Sequence, residues 1–303
     1  MKQFIKNTII FAMPLCIVVL LVWIVDPLNY FGQNDIIPQE KKDVIITHYS
    51  GRDMIKQGEI KKILFRQQCK EVNSWIIGDS RTTPISVSYI DSISYRSWYN
   101  MGLAGCYTNS ATSSFFWMLE SSDYKPEIIY WGHNFWGANT IDYFEGIDDY
   151  GETPLTYITS SFTWKLIYNT MKTNDYHKSI NSTGEIEVWS EIINRKKEDI
   201  TKEHIIIQPS VYELIDSVSH YCERHNIRLI HVYPPEYKDL LATIQSDSIT
   251  NAEYQKYLNH LSQYEFYNFN QGYWIESSED FGDPMHPKEH VYNNIVDSIF
   301  NSR

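Results

Sequence analysis

The sequence predicts an α/β protein, a mostly parallel sheet of about five strands covered by helices on both faces, behind one amino-terminal membrane-spanning helix. Three observations predict it. From residue 75 onward, short apolar runs alternate with helical stretches, the pattern of a parallel sheet with helical crossovers. Glycines and small polar residues follow several of those runs, at the strand ends where open α/β sheets hold their ligands. Near the amino terminus, Ile9 to Val25 contains no charged residue, which places it at the short end of spanning length.

The totals set limits first. Hydrophobic residues make up 43% of the 303 residues, enough for a packed core and too many for a disordered chain. There are 26 basic and 38 acidic residues, a net charge of −12. That balance argues against nucleic acid or an anionic membrane surface as the main partner. Aromatic residues reach 15%; Tyr and Trp stack on sugar rings but also fill cores. The cysteines, Cys16, Cys69, Cys106 and Cys222, show no C-x-x-C spacing, so neither a disulfide framework nor a zinc site is indicated.

Residues 1–8, with Lys2 and Lys6, are expected to stay cytoplasmic, and residues 9–25 to form an uncleaved signal anchor. A cleaved signal peptide and a buried helix are the rival readings. Asp26, Pro27 and Leu28 follow the run and offer no small-residue cleavage site. Residues 26–74 read as a juxtamembrane spacer and then an amphipathic helix over Asp53–Val72. Strands are expected at 75–78, 95–99, 127–131, 227–233 and 264–269, and helices at Asn109–Glu120, Ser210–His225, Ala252–Gln263 and Glu289–Phe300. Residues 135–204 interrupt the alternation. They are rich in aromatics, including Phe135, Trp136, Tyr143, Phe144, Tyr157, Trp164 and Tyr168. Such an insertion is either a lid over the site or a subdomain packed on itself. Its acidic patch, Glu145, Asp148, Asp149 and Glu152, lacks the spacing of a calcium loop and reads as a solvated face.

Four segments carry chemistry. Trp75-Ile76-Ile77 runs into Gly78-Asp79-Ser80-Arg81, a strand end that presents a serine. Asn100-Met101-Gly102-Leu103-Ala104-Gly105 ends the second strand, and the Gly105 N–H can serve as an oxyanion donor. Gly132-His133-Asn134 ends the third, with the Asn134 amide as another donor. Asp283-Pro284-Met285-His286 sets a carboxylate against one imidazole nitrogen and leaves the other for the serine proton. Pro287 suits the first turn of the helix that follows.

In this order the motifs resemble those of the SGNH superfamily of GDSL-type esterases and lipases. The resemblance covers residues 75–303, with 135–204 as an insertion. It implies a three-layer α/β/α sandwich of flavodoxin-like type. It implies Ser80 as nucleophile, His286 as base and Asp283 as its orienter, with Ser80 N–H, Gly105 N–H and Asn134 forming the oxyanion hole. No cofactor and no metal is implied. Arg81 stands where the family name has leucine, and Phe135 where an Asp is usual. Arg81 either binds an anionic substrate group or pairs with an acid of the fold. The anchored layout is similar to surface proteins of the superfamily that esterify or de-esterify envelope polymers, such as those of teichoic-acid D-alanylation and polysaccharide O-acetylation. The function so implied is an esterase or O-acyltransferase acting on acetyl-type esters of envelope polysaccharide. It would stand outside the cytoplasm, beside a membrane-bound acyltransferase partner.

Two rival readings remain. One is an idle module of the same fold that binds glycan or docks a partner. The other is a zinc hydrolase, since His286-Pro287-Lys288-Glu289-His290 fits H-x-x-E-H. Only Asp297 follows as an acid, which leaves little room for the usual downstream Glu ligand.

Overall fold

The computed structural model describes residues 1–31, 36–37, 54–138, 153–172, 183–185 and 205–301. The chain divides into two compact units. One comprises Met1–Ile63 with Glu145–Asn181, the other Leu64–Phe144 with Ser182–Arg303.

The larger unit contains five parallel strands: β1 (Ser74–Ile77), β2 (Trp98–Asn100), β3 (Ile128–Gly132), β4 (Arg228–Tyr233) and β5 (Phe266–Asn268). Their order in the sheet is β2-β1-β3-β4-β5, and every pairing is parallel. The chain leaves β1 for one neighbour and returns to the other side for β3. The crevice at the carboxyl ends of β1 and β3 is therefore the topological switch point, where doubly wound sheets bind ligands. Strands β1, β2 and β3 are almost wholly buried, as strands covered on both faces must be, and β5 at the sheet edge is half-buried.

Alternation sorts the side chains. Ile76, Tyr130, Ile230 and Val232 point to one face, where they pack with residues of α3 (Val87–Ser94) and α11 (Glu289–Phe300). Trp75 points to the other. There Phe65, near the end of α2 (Met54–Gln68), meets Trp75 and Tyr99 edge-on, and Phe115 of α4 (Thr108–Ser121) packs on Trp75. Helices α8 (Pro209–Arg224), α9 (Lys238–Ser246) and α10 (Ser248–Leu261) complete the layers.

The expected strands and long helices appear with shifts of a few residues at their ends. Helices α3 and α9 were not expected; at eight and nine residues they hold too few turns for a clear periodic signal. Helix α3 also displaces β2. Tyr95 takes a left-handed conformation, φ 54°, and its N–H bonds Asp91 O to end that helix. Residues 95–97 are thereby lost to the strand. Pro287 is a second correction. It belongs to a two-stranded antiparallel hairpin, β6 (Phe281–Asp283) and β7 (His286–Pro287), and helix α11 begins two residues later with Lys288 as its N-cap. Phe135 opens a four-residue helix, α5 (Phe135–Ala138), fully buried against Tyr254. The start of the expected insertion is thus part of the core. The acidic patch at 145–152 lies outside the described residues.

The smaller unit contains α1 (Lys2–Val25), α6 (Pro154–Thr159) and α7 (Ser161–Lys172). Helix α1 is long and apolar enough to cross a membrane. Its C-cap Asp26 is buried, and its carboxylate accepts the Tyr30 and Phe31 N–H groups at 2.8 and 2.9 Å and the Tyr157 hydroxyl at 3.0 Å. The described part of the insertion between 153 and 172 thus packs with the amino-terminal helix in one unit.

One core feature makes stability depend on pH. Tyr257, His133, His231 and Ser219 form a buried chain, with His133 Nε2 2.8 Å from His231 Nδ1. A neutral ring has one donor and one acceptor nitrogen, so the facing Nε2 and Nδ1 can bond only while at least one of the two rings is neutral. Burial pushes both histidines down, His231 to about 3. Below about pH 6.5 the unfolded chain takes up protons that the folded rings refuse, so stability falls as pH drops from there toward 3. The expected slope is about 1.4 kcal/mol per pH unit for each histidine still titrating only in the unfolded chain. Urea unfolding from pH 7 to 5 reads it. His231→Gln should flatten the slope by close to one proton; an unchanged slope would remove His231 from the account.

Candidate active site

The first strand delivers the serine. After Ile77 the chain turns at Gly78, whose φ of 142° lies in a region L side chains rarely adopt. Asp79 and Ser80 follow, and Thr82 and Thr83 tie the turn by donating to Asp79 O and Ser80 O at 2.7 and 2.8 Å.

Thr82 explains the glycines. A Cβ added at Gly132 would lie 2.1 Å from Thr82 Cγ2. At Gly102 it would lie 2.2 Å from Thr82 Oγ1, and at Gly78 2.7 Å from Thr82 Cγ2. These glycines follow or end β1, β2 and β3, so the threonine plugs into a socket that three adjacent strands leave open. Asn100 fastens the same loop: its amide donates to Thr82 O at 2.8 Å, and its Oδ1 accepts the Gly102 N–H at 2.9 Å. Gly132→Ala is expected to cost about 1–3 kcal/mol through overpacking. Thr82→Ser removes the offending methyl, so it should restore most of that loss. It should not rescue Gly102→Ala, where the conflict is with the hydroxyl. Thermal unfolding of the single and double variants checks this, and equal rescue of both alanines would refute the socket.

The hairpin delivers the imidazole. Asp283 Oδ1 accepts the backbone N–H groups of Met285 and His286 at 2.7 and 3.0 Å. Both its oxygens lie 2.9 Å from His286 Nδ1. His286 Nε2 lies 2.9 Å from Ser80 Oγ. Ser80, Asp283 and His286 thus meet across 206 positions of sequence, with Asp283 and His286 buried and Ser80 half-buried. Both ring nitrogens of His286 face these two partners. The second histidine of the H-x-x-E-H pattern, His290, pairs instead with Asp280 on the surface. The two histidines do not converge, and among the described residues no group of three or more potential ligands gathers.

Asn134 stands at the carboxyl end of β3. Its amide nitrogen donates to Asp79 Oδ2 at 2.5 Å, and its Oδ1 accepts the Trp136 N–H at 3.0 Å. An amide has two hydrogens, so Asp79 engages one and fixes the direction of the other. Gly105 sits in an exposed turn after β2 with φ 72°.

Arg81 takes the second of its two expected roles and pairs with acids of the fold. Its side chain is 0% exposed. Nη1 donates to Glu236 Oε1 at 2.9 Å, Nη2 to His133 O, and Nε lies 3.6 Å from Asp79 Oδ2. The guanidinium also lies over the Tyr233 ring at 5.2 Å. Burial works against its charge, but Asp79 and Glu236 outweigh burial and raise its pKa further. Burial pushes the Glu236 carboxyl up, with Arg81 opposing. Glu236 also accepts from Tyr233 OH at 3.0 Å and Asn270 Nδ2 at 3.3 Å, and the next residue, Tyr237, donates its N–H to Pro284 O. A single buried arginine therefore joins the serine loop, the end of β3 and the loop after β4, which in turn holds the histidine hairpin. Glu236 and Thr82 were missed in the sequence. The one signal for Glu236 was its place just past a strand end, after Pro234 and Pro235.

The fold and site together define a doubly wound α/β chain with a serine, a histidine and an aspartate in line at the switch point. No protein-family model matches the chain, and no curated protein matches it. Among solved structures it is similar to a protein from Desulfitobacterium hafniense DCB-2 titled a lipolytic protein of the G-D-S-L family. The two share 12% identity and a TM-score of 0.38 over 75% of this chain and 97% of that one. It is also similar to a protein from Bacteroides fragilis NCTC 9343 titled an acylhydrolase, with 12% identity and a TM-score of 0.40 over 78% and 94%. Both superpositions are loose, and the side-chain geometry of this chain speaks to its chemistry more directly.

Proposed function

We propose that this chain is a membrane-anchored serine esterase or O-acyltransferase acting on acyl esters, acetyl above all, of cell-envelope polysaccharide. The observation that supports it most is the unbroken line from Ser80 Oγ to His286 Nε2 at 2.9 Å and from Nδ1 to Asp283 at 2.9 Å. In this reading Ser80 Oγ attacks the ester carbonyl and passes its proton to His286 Nε2. Asp283 holds the Nδ1–H tautomer and faces the positive charge that develops on the ring. The oxyanion is received by the Ser80 and Gly105 N–H groups and by the second amide hydrogen of Asn134. The leaving alkoxide takes the proton back, and Ser80 carries the acyl group. Water then gives hydrolysis and a sugar hydroxyl gives transfer, through the same intermediate. The anchored layout and the motif order support an envelope polymer as substrate and a membrane-bound acyltransferase as partner.

A fluorophosphonate probe tests the core of the proposal. It is expected to label the wild type and not Ser80→Ala. A folded wild type that takes no label and hydrolyses no aryl acetate would favour an idle, binding role. Acyl loss to an added glycan faster than to water would mark a transferase.

A further inference from the structure

The geometry of the smaller unit points to a second membrane element: we infer that helices α6 and α7 lie in the outer leaflet, against lipid, beside the last turns of α1. The inference rests on α1 spanning a bilayer. From Asn7, just past Lys6, to Val25 the helix rises about 28 Å at about 1.5 Å per residue, against about 30 Å of hydrocarbon. Every turn up to Val25 is needed for the crossing. Yet one face of the last turns is already occupied. Val22 and Val25 are buried, while Leu15, Ile17 and Leu20 are exposed. Among the described residues, α6 and α7 pack on α1.

The fit is anchored by specific contacts. Tyr157 of α6 donates to the C-cap carboxylate of Asp26 at 3.0 Å and stacks on Tyr30 with ring centroids 4.4 Å apart. Helix α6 is thereby held at the level where α1 ends, and α7 runs on from it beside α1. Whatever packs on residues within the hydrocarbon thickness is itself within reach of lipid. Two large outward side chains agree: beside exposed Thr159 and Ser161, Leu155 of α6 is 69% exposed and Tyr168 of α7 is 58% exposed. A large apolar residue and a tyrosine suit the acyl and headgroup levels of an interface. The buried Asp26 agrees as well, since a carboxylate at that depth is tolerated when hydrogen bonds satisfy it.

Nitroxide accessibility tests this in the full-length chain reconstituted in phospholipid nanodiscs, with exposed Cys16 replaced by Ser. Labels at Leu155→Cys and Tyr168→Cys are compared with Leu15→Cys on α1 and Tyr124→Cys on the larger unit. Collision with oxygen, which concentrates in lipid, is expected to exceed collision with a water-soluble nickel chelate at 155 and 168 severalfold relative to 124, as at 15. Nickel access at 155 and 168 equal to that at 124, with 15 still lipid-exposed, would overturn the inference and leave the anchor standing. Low access to both reagents at 155 and 168 would mark a protein contact and also overturn it. Nickel access at 15 would remove the anchor and the inference together.

Discussion

Ser80→Ala and His286→Ala are each expected to lower kcat on an aryl acetate by about 10⁴–10⁶-fold, and the double variant by no more than either alone. The reason is geometric. In the proposed mechanism Ser80 Oγ and His286 Nε2, 2.9 Å apart, act as one device, so a serine that cannot pass its proton would be as inert as no serine. Asp283→Asn should cost about 10⁴-fold through the wrong tautomer. It also weakens the acceptor of the Met285 and His286 N–H groups, so hairpin integrity needs a separate check by near-ultraviolet circular dichroism. Progress curves with active-site titration give kcat directly. A Ser80→Ala variant within tenfold of wild type, or losses that multiply in the double variant, would place the chemistry elsewhere.

Arg81→Met is expected to destabilise the fold by about 3–5 kcal/mol, because it leaves Glu236 and Asp79 as buried carboxylates without their cation. Glu236→Met alone should also be costly, since the cation then keeps only Asp79, 3.6 Å away, as a carboxylate partner. The double variant Arg81→Met/Glu236→Met should be more stable than the sum of the two losses, with a coupling of about 0.5–3 kcal/mol. Asp79 keeps its bonds from the Arg81 N–H and the Asn134 amide in every variant. Urea unfolding at neutral pH measures all three. Additive losses, or an Arg81→Met cost below about 1 kcal/mol, would mean that the charge is solvated rather than buried.

These two experiments fall on neighbouring residues that were unequally legible in the sequence. The strand Trp75–Ile77, the glycine after it and the Asp283/His286 spacing are local patterns, and local patterns survive in a linear text. The order of strand ends was legible for the same reason, since alternation fixes a parallel sheet before any contact is known. Arg81 was not. Whether an arginine points into solvent or into the core depends on the presence of Glu236, 155 positions away, and nothing near residue 81 announces that partner. The same holds for Thr82, whose importance lies in three glycines on three strands. Pro287 misled in the opposite way. Its fixed φ fits a helix start and equally an extended hairpin strand, and the antiparallel partner Phe281 decided between them.

The glycine socket has a consequence for how this chain can diverge. Gly78, Gly102 and Gly132 share one tenant, Thr82, so none of the three can gain a side chain until position 82 loses one. In diverged copies positions 82 and 132 are expected to change together, whereas Gly78, with φ 142° and an added Cβ that would also lie 2.7 Å from Gly132 O, stays glycine. An alanine at 132 should arrive only with serine, alanine or glycine at 82, because Thr82 alone supplies the conflict at that site. Positions 82 and 132, fifty residues apart, thus behave as a single inherited character. A deep mutational scan of position 82 in wild-type and Gly132→Ala backgrounds would display it as a reversal of preference from threonine to smaller residues. Such a linked set marks kinship among chains too divergent for overall identity to register.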